Sequence, residues 1–449
     1  MGGILLNVHF MLFEQIADFK FGRVLSTAVL VILYWVSYRL LKKDYEGDPR
    51  VCALVAFLFS LLPSMLLYVY WLANFIPGLL TMLLAAISYG LVSASRTKSG
   101  KSWKRYFFGG YGLLFLTFLI YPPTSYYFLV FVAWRALMGQ STPARGPVDK
   151  SFLDIFMVGF LSAAYFVVAK IVSNRWLVTL IFNANGQPIT KEYVLSVGGS
   201  LAEHINVFID LVVQSFSLWF VGWVPDSLIL AVGVIFACIC IWLYKRGPVE
   251  VRGRILVWCA CFFIAAAPML VASGGFIALR NAIIGAILFL IAIVNLLAYM
   301  LQSYRKETLF IPLLCVLAAT SFTAAFVRVG VASLNAHEEL AFMREKFRGK
   351  SAEELSQIVF YAAPLKEPLY PFAMASDFNL LATNAAFIDG FLYGGLKEVG
   401  VDYKLSQFEY VGYGDKLKKL RFEKPFVLCM PEAWQKADEG TSLCDLSTK

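Results

Sequence analysis

Charge is what this sequence has least of. Asp, Glu, Lys and Arg make up only 15% of its 449 residues, against about 25% in soluble domains, while hydrophobic residues make up 59%. That balance excludes an ordinary water-soluble globule. Histidine is nearly absent, and three scattered residues supply no zinc-ligand spacing. No glycine-rich stretch carries the lysine pattern of a P-loop, no motif for base readout is present, and there is no internal repeat. The ends carry no acylation or prenylation signal. "MGGILLNVHFMLF" lacks the basic n-region and small-residue cleavage site of a signal peptide. The lack of any N-x-Ser/Thr sequon weighs toward a bacterial protein.

Apolar runs are what the sequence has in plenty. Segments able to cross a hydrocarbon core of roughly 30 Å recur from residue 24 to residue 330. They read as spans near 24–41, 51–70, 74–93, 106–121, 124–138, 152–172, 226–244, 255–273, 278–300 and 308–330. The fourth and fifth are short and meet at the double proline of "YPPTSYY", which favours a hairpin over one broken helix. The net charge of +9 belongs to this part: residues 1–330 hold 25 Lys/Arg against 13 Asp/Glu, residues 331–449 hold 14 against 17. Of those 25, 18 fall in "RLLKKDYEGDPR", "SASRTKSGKSWKRY", "RALMGQSTPARGPVDK", "LYKRGPVEVRGR" and "QSYRKE". These alternate connections are therefore expected to be cytoplasmic, and the others, with both ends of the chain, outside. Nucleic acid is not the partner this charge implies.

The expected fold is an all-α polytopic membrane bundle of about ten transmembrane helices. A small α/β domain at residues 331–449 follows it on the outer, periplasmic face. "SQIVFYAA" and "PFVLCM" read as its buried strands, "AHEELAFMREKFRGKSAEEL" and "FNLLATNAAFIDGFLYGGLKEVG" as its helices. Residues 1–23 read as an outer interfacial helix, and 24–330 as the transmembrane domain with an outer loop at 173–225. Within that loop "LAEHINVFIDLVVQSFSLWFVGWVP" is amphipathic or re-entrant, anchored by Trp219 and Trp223. An outside N-terminus without a translocation signal leads to the expectation that one span precedes this sequence. Six of the eight cysteines lie in or beside apolar runs, where Cys acts as a small hydrophobe. Cys429 and Cys444 lie in the polar tail, where an oxidising compartment would permit a disulfide.

Seven basic residues are not explained by topology: Lys20, Arg23, Lys170, Arg175, Lys191, Arg280 and Arg328. Each falls at or near the outer face, and each has a plainer reading as a snorkelling side chain. Arg280, just inside a span after Gly274-Gly275, is the best placed to bind a phosphate bidentately. Glu14 and Asp18 stand four apart, so both carboxylates share a helix face. Such a pair can supply a general base for a sugar hydroxyl, or be a solvated polar strip. Tyr121, Thr124, Tyr126 and Tyr127 offer rings and hydroxyls for sugar contact, or belong to an interface belt. His204 can face a phosphate or cap polar backbone.

The layout, with the strings "FKFGRVLS", "YPPTSYYFLV" and "IALRNAI", resembles the integral-membrane glycosyltransferases of the GT-C fold. Within them it looks most like the bacterial type II O-antigen, serotype-converting glucosyltransferases. The resemblance implies a polyprenyl-phosphate sugar donor, a glycan or lipid-linked acceptor, and reaction on the periplasmic side of the inner membrane. It implies a first-loop acid, here Asp18 or Glu14, acting as base or holding a divalent metal ion. Arg280, Arg23, Lys170, Arg175 and His204 would bind the donor phosphate, and Tyr121, Tyr126 and Trp219 the sugar or acceptor. No cofactor is otherwise implied. In the family a further span and its acidic motif precede "FKFGR", and this sequence departs from that pattern. An O-antigen ligase or polymerase, a polyprenyl-linked sugar flippase, and a non-catalytic membrane scaffold are the alternatives.

Overall fold

The computed structural model describes residues 16–62, 65, 76–139, 147–172, 201–220, 226–271, 279–303, 307–361, 396, 407–411 and 426–429. The chain divides into two units, Met1–Ala325 and Phe326–Lys449.

The first unit is helical throughout its described residues. In chain order it contains α1 (Ile16–Lys43), α2 (Pro49–Leu61), a π-helical turn (Ile76–Leu80), α3 (Thr81–Ser95), α4 (Gly100–Ile120), α5 (Pro122–Ser125) and α6 (Tyr127–Met138). There follow α7 (Pro147–Val172), α8 (Leu201–Phe220), α9 (Asp226–Arg246), α10 (Val249–Val271) and α11 (Leu279–Ser303); α12 (Phe310–Phe347) holds the division between the units. Four stretches are long and apolar enough to cross a membrane: Val24–Lys43, Gly78–Ser95, Lys150–Val168 and Ala282–Gln302. On α7 the exposed residues Phe152, Phe156 and Phe160 form an outward stripe at four-residue spacing, a face that water would not tolerate but lipid does. These are the features of a membrane protein.

Local sequence sets the helix ends. Asp48 caps α2, its side chain accepting from Arg50 N–H at 2.9 Å, and Pro49 opens the first turn. α4 stops at Tyr121, which is extended (φ −154°, ψ 97°), because Pro122 disfavours helical backbone in the residue before it. α1 closes on Lys42 and Lys43, cations suited to a helix C-terminus. The separate interfacial helix expected over 1–23 is, from Ile16 onward, the first part of α1. Gly22 weakens that helix by about 1 kcal/mol without breaking it.

Close approaches use small residues. Ser88 donates to the Gly110 carbonyl at 2.8 Å where α3 meets α4, and a Cβ on Gly110 would stand 2.6 Å from Val92. A Cβ on Gly285 would meet Ser215 Oγ at 2.3 Å, so glycine is what lets α8 lie against α11.

Among the described residues, the first four basic connections share one end of this unit. Trp134 Nε1 donates to the Leu41 carbonyl (3.0 Å), and Lys43 to Ser93 (2.9 Å). Arg254 donates to the Leu137 carbonyl (3.0 Å), and Asn295 to the same oxygen (2.8 Å). The first connection thus meets the second and third, and the third meets the N-terminus of α10 and the latter part of α11.

In the second unit the described strands are β1 (Gln357–Tyr361), β2 (Gln407–Val411) and β3 (Phe426–Cys429). They form a parallel sheet in the order β2–β1–β3, with Gln357 opposite Gln407 and Ile358 opposite Phe426. β1 and β3 fall on the two expected strands; β2 was not foreseen. The helix expected from "FNLLATNAAFIDGFLYGGLKEVG" lies outside the described residues but for Leu396.

Candidate functional site

Two groups of polar side chains divide the first unit between its ends. The better defined lies at the basic end. Asp154, near the start of α7, is fully buried and accepts from Arg96, from Arg135 at 2.8 Å and from the Tyr111 hydroxyl at 2.7 Å. Arg135 also donates to Ser151 (3.0 Å) and lies over the Tyr89 ring, 5.8 Å from its centroid. Tyr89 in turn donates to Asp44 at 2.7 Å. Burial pushes the Asp44 carboxyl up from its ordinary range, while the Tyr89 hydrogen bond and the Arg135 charge pull it partly back. Two arginines against two aspartates leave the cluster balanced, which is the condition for burying charge at all. Only the Arg135 Nε lacks a partner. The cluster pins the ends of α1, α3, α4, α6 and α7 together and fills the space between them.

Sequence reading did not find this cluster. Both arginines were absorbed into the basic connections, and Asp154 was passed over as part of an apolar span. The available signal was an Arg inside the apolar run "FVAWRALM" and an Asp in "SFLDIFMV", since a charge within an apolar run needs a partner.

The second group surrounds the turn between α4 and α6. The hydroxyls of Thr124 and Ser125 donate to the Tyr121 carbonyl (3.3 and 3.0 Å), and Tyr121 itself is half-buried. α11 packs on both α5 and α6. Because Asn295 touches the C-terminal end of α6, α5 is within reach only of the N-terminal half of α11. Arg280 lies in the first turn of α11, in the half of that helix that packs on α5. Thr81, the first residue of α3, has a fully buried hydroxyl with no hydrogen-bond partner, and α3 also packs on α5.

Of the residues singled out from sequence, Arg280 is therefore on a helix that packs on α5, which Tyr121 precedes. Trp219 lies one turn past Ser215, which donates to the Ala282 carbonyl at 3.5 Å, so its place in α8 is close to the Arg280 end of α11. Tyr126 is different. The sequence put it on the outer face, but it is 1% exposed and its hydroxyl is hydrogen-bonded to Ser162. The reason is that α6 is surrounded by α3, α7, α10 and α11 and is buried from Tyr127 to Leu137. Tyr127 is likewise buried against Ser37 (2.8 Å). From Ser37, Arg23 and Asp18 stand about 21 Å and 28 Å further along α1, well beyond the turn. Lys170 lies in the last turn of α7, past the Ser162 contact, and His204 in the first turn of α8. Glu14 and Arg175 lie outside the described residues.

No family model, no curated protein and no solved structure matches this chain.

Proposed function

We propose that this chain is a membrane glycosyltransferase that moves a sugar, glucose by resemblance, from a polyprenyl-phosphate donor to a glycan or lipid-linked acceptor. The reading includes about ten spans in the inner membrane, basic connections in the cytosol and a periplasmic C-terminal α/β domain. The observation that carries it is the packing of α11, whose first turn holds Arg280, on the Pro122–Ser125 turn, set apart from the balanced charge cluster at the basic end. A guanidinium there neutralises donor phosphate where a polyprenyl chain can remain in lipid. Arg23 and Lys170, toward the same end of their helices, add positive charge, and Asp18 supplies the base that accepts the acceptor's proton. Among the described residues no three acids, histidines or cysteines are grouped to hold a metal ion.

Donor binding tests the site. Arg280→Ala is expected to weaken binding of a polyprenyl-phosphate sugar roughly ten- to a hundredfold, or about 1.5–3 kcal/mol, while the protein stays folded. Arg280→Lys should recover only part, because an ammonium lacks the forked contact. Unchanged affinity in Arg280→Ala removes this residue from the site.

Orientation has its own check. Single cysteines placed within Thr97–Trp103 should be shielded from an impermeant thiol reagent in intact cells, and cysteines near Lys404 should label. The reverse pattern inverts the topology.

One observation favours a flippase: Asp154 is a buried and Asp44 a half-buried ionisable group in a membrane bundle, a common mark of transport pathways. Sugar transferred to acceptor by purified protein in detergent, with no membrane to cross, separates an enzyme from a transporter.

A further inference from the structure

The basic end holds a cavity that neither the transferase chemistry nor the charge cluster uses. It lies between the C-terminal ends of α6, α9 and α11 and the N-terminal part of α10, with a volume of about 220 Å³. Trp258, Phe236 and Leu296 give it an apolar interior, while Arg254, Asn295 and Gln302 supply polar groups. A volume of this order holds several water-sized units. That suits a segment of hydrocarbon chain and is far too small for a helix about 10 Å across.

We propose that this cavity binds an anionic membrane lipid from the leaflet on the basic side, one acyl chain entering it and the headgroup phosphate resting at Arg254. Three observations commit the site to that occupant. The first is charge: Lys245 and Arg246 end α9 exposed, and Arg252 and Arg254 follow on α10, against one acid, Glu250. A basic pocket between membrane helices is the arrangement that holds anionic headgroups. The second is depth. Trp242, Tyr244 and Tyr299 are 56%, 41% and 47% exposed around this end, and such amphipathic rings sit at headgroup level. The third is the state of Arg254. Its two terminal nitrogens donate to the Leu137 and Gly139 carbonyls at 3.0 and 3.4 Å, which fixes the guanidinium on the last turn of α6. Five N–H donors on a guanidinium exceed those two bonds, so a phosphate meets a cation already oriented, at little further entropic cost.

The site would couple lipid composition to the packing of α6, because the same arginine that meets the phosphate caps that helix. Native mass spectrometry of the full chain tests the proposal. Purified protein is exchanged into mixed micelles holding equal phosphatidylglycerol and phosphatidylcholine. One phosphatidylglycerol should be retained per chain, at least tenfold in preference to phosphatidylcholine. Arg254→Gln should lose that preference, and Ala292→Phe, which fills the cavity but keeps the arginine, should lose retention of either lipid. Lys98→Gln, a basic residue of another connection, should behave as the unmutated chain. Equal retention of both lipids, or none, by the unmutated chain overturns the proposal whatever the variants do. So does full displacement of the lipid by millimolar inorganic phosphate, which would make the site one for a free anion.

Discussion

Asp154→Asn is expected to be the most destabilising single substitution in the membrane unit. The amide keeps the volume and can still accept the Tyr111 hydroxyl, but the carboxylate that answers both arginines is gone. Arg135 is 8% exposed at its side chain and Arg96 20%, so neither can turn fully to water. Breaking a buried ion pair by removing one partner typically costs about 3–5 kcal/mol, most of it from the charge left behind. The measurement is the thermal unfolding midpoint of detergent-purified protein, followed by exposure of its buried cysteines. The companion variant is Asp154→Asn with Arg135→Gln, in which one stranded charge is removed. It should unfold later than Asp154→Asn alone, a coupling that independent sites do not show. It will not match the unmutated chain, because Arg135 also lies over Tyr89 and bonds Ser151. If the two substitutions simply add, the cluster is not the clamp described here.

This cluster also shows which parts of the structure were legible in the sequence. The helices were, because each apolar run is bounded by charge, proline or glycine and each holds described helix. The common end of the first four basic connections was legible too, since charge alternated from one connection to the next. Pairings across the bundle were not. Arg96, Arg135 and Asp154 each look like ordinary residues at a helix end, and only the packing of α3, α6 and α7 brings them into contact. The burial of Tyr126 and Tyr127 was not legible for the same reason: a proline-rich turn between two short segments reads as a surface hairpin. Its depth depends on Ser37 and Ser162, serines from distant helices that accept or donate to those hydroxyls. α1 was misjudged at its start because charged residues and Gly22 suggested a boundary, whereas the helix runs through them. Arg280 was singled out because it interrupts an apolar run after a glycine pair, a signal that needs no tertiary partner.

Asp18→Asn is expected to leave donor binding intact and to lower turnover by about 10²–10⁴, the usual cost of removing a general base. The amide has nearly the same shape and can still accept a hydrogen bond, so only proton acceptance disappears. Geometry makes this a demanding test. Proton transfer requires the acceptor hydroxyl within hydrogen-bond reach of the base. The reacting carbon is joined to the phosphate by one oxygen, so base and phosphate-binding cation must meet within one sugar's length, and Arg23, five residues from Asp18 on α1, is the cation this base requires. Arg23→Gln should then raise the donor KM with little change in kcat, whereas Asp18→Asn should lower kcat at nearly constant KM. The acid limb of the pH–rate profile should also vanish in Asp18→Asn, since that limb reports protonation of the base. Glu14→Gln alone is expected to keep most turnover. Full turnover in the Asp18→Asn, Glu14→Gln double variant would take catalysis away from this helix altogether. It would also leave Arg280 and the Tyr121 turn as a phosphate site whose base lies elsewhere.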